Sequence, residues 1–309
     1  MHSPPVFRRA RGLAVFAATA LLSTGADAGT PISGAAYVSD LGGPLYRVRY
    51  AYDGEHPPVL GAAERVATLP RGGGARGLRD GRVAVVGAGI FSIYDPRDAS
   101  VATVGTMTNA NALQASPDGS RMWTGWKDTV LSDVPLAPLA PGTPRALSGD
   151  DLVATMLAFT PNDGVFYTTG GEFAEGNFGR IDLATFRTTR IVAGVFATGV
   201  IYDRFSDTLI TAGIGRATQR APSAPTVVVS SRDDAATGEN YLILEPTGEG
   251  HALGTRYGSE FRLVFIDYSA EGRIGAPSTR FFSLPVPGIT NSSGGLALDL
   301  DLMHWNGFE

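Results

Sequence analysis

The chain of 309 residues has no cysteine, which excludes disulfide staples, thiolate metal sites and a cysteine nucleophile. Histidine is almost as scarce. His2, His56, His251 and His304 are the whole supply, too few for a multi-histidine metal centre once His2 is assigned to a leader. No G-x-S-x-G elbow and no H-E-x-x-H pair occurs, so a serine esterase and a zinc protease lack their signatures. Excess positive charge is missing too: the formal net charge is -5, which leaves no basic surface for a phosphate backbone or an anionic membrane. Nucleic acid is therefore not an expected partner.

What the chain does have begins with an export signal. Arg8, Arg9 and Arg11 form a positive region, Leu13 to Leu22 an apolar run too short to span a bilayer, and Ala26-Asp27-Ala28 a small-x-small cleavage site. The expectation is a secretory signal peptide over residues 1–28, then a single domain over 29–309 exported to the periplasm or beyond the cell, with no membrane span after processing. Without disulfides, that domain must rely on its core, and about 280 residues bury enough surface for it.

The full chain is rich in turn formers, with 40 Gly and 20 Pro, which favours many short strands. A repeat underlies them. LQASPDGSRMWTGW (Leu113 to Trp126), LAFTPNDGVFYTTGGE (Leu157 to Glu172) and VIYDRFSDTLITAG (Val200 to Gly213) each set an apolar strand, a polar turn and a second apolar strand ending in glycine. Their terminal glycines, Gly125, Gly170 and Gly213, are 45 and 43 residues apart, room for four short strands and their turns.

VAVVGAGIFSIYDP, Val83 to Pro96, imitates a dinucleotide-binding loop. Such a loop needs a helix directly after its glycines, so that the pyrophosphate meets free N–H groups. Here Ile90 to Asp95 alternates with period two, rich in β-branched and aromatic residues, and Pro96 forbids helical continuation. Gly87-Ala88-Gly89 is read as a hairpin turn, and no nucleotide cofactor is expected.

The run SIYDPRDASVATVG followed by ALQASPDGSRMWTGW resembles the repeat of YVTN-type propellers of secreted bacterial proteins, best over residues 75–215. That resemblance implies an all-β fold, a β-propeller, and says little of activity. AAYVSD, PLYRVRY and ERVATL supply three N-terminal strands without an innermost one, and GGLALDLD near the C-terminus supplies the missing type. Pairing the N- and C-terminal strands closes a ring of six blades, or of seven if Leu302 to Phe308 adds a strand.

Strand parity places the blade-to-blade loops on one face, here the top. They read RGGGAR (Arg71 to Arg76), MTNANA (Met107 to Ala112), SGDD (Ser148 to Asp151), AGVFATG (Ala193 to Gly199), TGEGHA (Thr247 to Ala252) and GITNSSGG (Gly288 to Gly295). Arg76, Asn109, Asp150 and His251 are the candidate binding residues of the funnel, and Asn111, Asp151, Glu249 and Asn291 the candidate oxygen ligands for a hard cation such as Ca2+. RATQRAPSAP (Arg216 to Pro225) is read as a longer top-side loop. The expected function is a monomeric binding module that meets a protein or small-molecule partner through this face. The alternative is a calcium-assisted hydrolase of lactones or esters in the funnel, for which six-bladed gluconolactonase- and regucalcin-like enzymes offer an analogy of fold alone.

Overall fold

A computed structural model describes residues 29–299 apart from 107, 163, 172–174, 257–259 and 290–294. The expected leader, Asn291, and the C-terminal segment with its expected seventh-blade strand lie outside the described residues. Six antiparallel sheets stand around an axis, inner strand first. Blade 2 is Gly74–Gly77, Val83–Gly87, Ile90–Asp95 and Ser100–Gly105, and blade 3 is Ala112–Ala115, Arg121–Gly125, Val130–Pro135 and Thr143–Ala146. Blade 4 is Met156–Phe159, Val165–Thr168, Gly176–Asp182 and Arg187–Val195, with Ser148–Gly149 added in parallel at its outer edge. Blade 5 is Gly199–Asp203, Thr208–Gly213, Arg216–Ala221 and Ala224–Asp233, and blade 6 is Glu245–Pro246, His251–Thr255, Arg262–Asp267 and Arg280–Pro285.

Blade 1 closes the ring. Its inner strand is Leu296–Leu298, which pairs antiparallel with Ile32–Ser39 (Ala36 opposite Leu298, Val38 opposite Leu296), and Pro44–Tyr52 follows with Glu64–Thr68 outside it. The expected pairing of N- and C-terminal strands is thus the observed one, and Leu296–Leu298 covers the edge that Ile32–Ser39 would otherwise leave open.

Each blade buries both faces against its neighbours. In Val83–Gly87, Val83 and Val85 pack with Tyr37 and Leu45 of blade 1, while Ala84 and Val86 pack with Leu113 and Met122 of blade 3. This double burial explains why the strand reads as an unbroken apolar run rather than an alternation. The same arrangement recurs between blades 3 and 4 around Leu157 and Tyr167, and between blades 6 and 1 around Phe265 and Tyr52. The hairpin reading of Gly87-Ala88-Gly89 holds: Gly87 pairs with Ile90 across a two-residue turn in which Ala88 and Gly89 have φ of 50° and 78°, the backbone that matches strand twist.

Two loop assignments are corrected. Thr247 to Gly250 is the turn between the first two strands of blade 6, so it lies on the bottom face with the S-P-D-G turn, not on the top. The inner strand it follows has two residues, too few to show a period. The true top loop into blade 6 is the stretch 234–244, with a short 3-10 turn at Ala235–Thr237. Likewise Arg216 to Pro225 is no loop. It runs along the third strand of blade 5 and through a tight turn into its fourth.

Candidate functional site at the axial channel

The inner strands bring their side chains to the axis. Arg76 sits in Gly74–Gly77 of blade 2, and Glu245 opens the inner strand of blade 6. Blade 1 lies between these two in the ring, so their pairing reaches past the closing strand across the channel. Arg76 Nη1 donates to Glu245 Oε2, and both residues are 6% exposed. Burial pushes the Glu245 carboxyl up to about 7, against the opposing pull of the Arg76 guanidinium.

One edge of Arg76 is left over. Nη1 is taken by Glu245, while Nε and Nη2 are buried with no hydrogen-bond partner among the described residues. Those two N–H groups form the side of the guanidinium that grips a carboxylate with two parallel bonds. An unmet donor in the interior costs roughly 1–3 kcal/mol, more when it is charged.

The other predicted residues scatter. Asn111 is half-buried just before the inner strand of blade 3, and the inner strands pass so closely there that a Cβ on Gly74 would overlap the Asn111 carbonyl. Asn109 is exposed on the same top loop. Asp150 is exposed, and its Oδ2 accepts the Arg190 backbone N–H at 2.9 Å. Asp151 is buried between blades 3 and 4, where it accepts from the Tyr167 hydroxyl, from Asn177 Nδ2 at 2.6 Å and from Arg190 Nη2 at 2.6 Å. Burial alone would raise its pKa. The bonds from Arg190, Tyr167 and Asn177 outweigh that and hold it below the ordinary value.

Glu249 and His251 belong to the bottom end of blade 6, so they do not meet Asn111 or Asp151. His251 opens the second strand there and is fully buried against Tyr52 and Phe265. Desolvation lowers its pKa, against the pull of Asp267 3.5 Å away. Among the described residues no group of three or more His, Asp or Glu is placed to hold a metal ion. Glu245 was missed in the sequence although LILEP carries a signal: a carboxylate set in an apolar run demands a partner.

A second concavity opens on the bottom face between blades 4 and 5. It has a volume of about 780 Å3 and is lined by Phe166, Arg180, Asp182, Arg187 and Pro222, with the Arg180 guanidinium 5.0 Å above the Phe166 ring.

Several solved structures share this architecture. The chain is similar to a putative TolB from Agrobacterium tumefaciens, with 14% identity and a TM-score of 0.53 over 76% of this chain and 93% of that one. It is similar to TolB from Acinetobacter baumannii, at 14% identity and a TM-score of 0.55 over 86% of this chain and 66% of that one. A calcium-binding protein, regucalcin, from Agrobacterium tumefaciens gives 14% identity and 0.52 over 72% and 76%. The fold is a β-propeller. No protein-family model and no curated protein matches the sequence, so the likeness carries the fold alone. Among the described residues, no helix is long and apolar enough to cross a membrane.

Proposed function

We propose that this propeller is an exported binding module whose channel takes a carboxylate-bearing ligand from the top face. The observation that supports this most is the buried Nε and Nη2 edge of Arg76. It is held in place by Glu245 on one side and is matched in shape to a carboxylate on the other. Glu245 fixes the guanidinium without consuming the edge that recognises the ligand. The exposed Asn109 and half-buried Asn111, on the loop leading into the neighbouring inner strand, offer neutral donors at the channel mouth.

Acetate, succinate and citrate are suitable probes, titrated into the purified chain while the melting temperature is followed. A ligand held only by the folded state raises that temperature, by about 2–4 °C per kcal/mol for a domain of this size. A saturable rise that disappears in Arg76→Met is expected. If none of the three shifts melting at millimolar concentration, or if Arg76→Met retains the shift, the channel is not a carboxylate site.

A further inference from the structure

The first described residue lies in a built site at the seam where the ring closes. The Gly29 backbone N–H donates to the Gly54 carbonyl of blade 1 at 2.8 Å. Its Cα stands so close to Asp267 of blade 6 that a Cβ would overlap the carboxylate Oδ2 and lie 3.1 Å from the Tyr52 hydroxyl. Asp267 is 3% exposed. It accepts from Tyr52 Oη at 2.6 Å, and from Ser269 N and Oγ at 3.0 and 2.6 Å. His251 Nε2 is 3.5 Å away, and Arg280 donates to the Gly54 carbonyl and approaches Tyr52 Oη at 3.4 Å. The next residue, Thr30, donates its N–H to Ser269 Oγ at 3.0 Å, so residues 29 and 30 are tied to both blades.

The nitrogen of residue 29 therefore bonds to a carbonyl of blade 1, while its Cα stands against the buried carboxylate of blade 6, where a side chain would overlap Asp267 Oδ2. Gly29 is also the residue that follows the small-x-small motif Ala26-Asp27-Ala28. We propose that cleavage after Ala28 completes the fold, because the α-ammonium of Gly29 then pairs with Asp267 and staples blade 6 to blade 1. The step is hydrolysis by a leader-processing peptidase. The Ala28–Gly29 amide bond breaks, the water oxygen goes to the Ala28 carboxylate, and the nitrogen gains protons to become an ammonium. An amide with one N–H and no charge becomes a cation with three donors, so one hydrogen continues to the Gly54 carbonyl while another reaches Asp267.

The proposal rests on the leader reading, and sequencing the amino terminus of the exported protein tests that reading separately. A start at any residue other than Gly29 overturns the proposal outright. Chains beginning at Gly29 and at Ala28, each with and without Asp267→Asn, are then unfolded in urea. The Gly29 start is expected to lower the unfolding constant by roughly tenfold or more, and Asp267→Asn to erase that advantage. Equal stability of the two starts refutes it.

A second reading needs no variant. Lys127 is the single lysine of the chain and is exposed, so the mature protein carries one side-chain amine beside its α-amine. Under an amine-reactive reagent the Gly29 amine should label roughly tenfold more slowly in the native chain than in denaturant, while Lys127 labels freely in both. Equal Gly29 labelling in the two states overturns the ion pair.

Discussion

Removing either partner of the channel pair should destabilise the propeller, but by unequal amounts that depend on pH. In Arg76→Met the stranded Glu245 carboxyl has an escape. Its pKa already stands at about 7 because it is buried, so at pH 6 it holds a proton in the wild type, and without the guanidinium it holds that proton more firmly. The loss is then one charge-assisted hydrogen bond, about 1.5–3 kcal/mol. In Glu245→Gln the amide stands in for a carboxyl that already holds its proton at pH 6, so the guanidinium keeps a neutral oxygen acceptor. That exchange costs about 1 kcal/mol.

The wild-type slope carries the same information. Between the ordinary value of 4.5 and about 7 the folded Glu245 holds a proton that the unfolded chain has released, so the stability owed to this group falls as pH rises through that window. The full excursion is about 3 kcal/mol. Urea unfolding of the wild type and both variants at pH 5, 6 and 8, with m-values compared, reads all three quantities. Glu245→Gln should be the milder variant at pH 6 and should lack the slope. A Glu245→Gln protein no more stable than Arg76→Met at pH 6, or a wild-type difference from Glu245→Gln that stays flat from pH 5 to 8, refutes the assignment of a buried, pH-sensitive pair.

Other outcomes follow from the same geometry. Asp151→Asn should cost about 3 kcal/mol at pH 7 through its bonds to Arg190, Tyr167 and Asn177; because that carboxyl is held below its ordinary value, the cost should shrink as the pH falls below about 4, and an undiminished difference at pH 3 counts against it. Ala88→Asn replaces a residue at φ 50° with the better half of an Asn-Gly turn, and should gain about 0.5–1 kcal/mol by denaturant midpoint. Val228→Lys, on the outer strand of blade 5 where Val227, Val228 and Val229 are exposed, should leave the melting temperature nearly unchanged while lowering light scattering on concentration. Scattering equal to that of the wild type would mean that this edge does not associate.

The propeller was legible in the sequence because its physics is local and repeated. A blade buries both faces, so Val83 to Val86 reads as a short apolar run, and turns such as Ser116 to Gly119 mark where one run ends and the next begins. Ring closure was legible as well, since GGLALDLD is an inner-type strand without a blade and the N-terminus is a blade without an inner strand. The channel was less so. Glu245–Pro246 is too short to carry a period, so the turn after it was mistaken for a crossover, and Glu249 and His251 were assigned to the wrong end of the channel. Arg76 and Glu245 are 169 residues apart, and no local pattern links residues on blades that are not neighbours. What remains readable is charge: Glu245 stands between Leu244 and Pro246 in a stretch that otherwise reads as core, and an isolated carboxylate there would be too costly to keep. The fold must supply it a cation, and the one arginine among the residues assigned to the axis was Arg76. Pairing each charge stranded in an apolar inner strand with the opposite charge assigned to the channel would have joined these two residues before any coordinates did, and it is a constraint that strand periodicity does not contain.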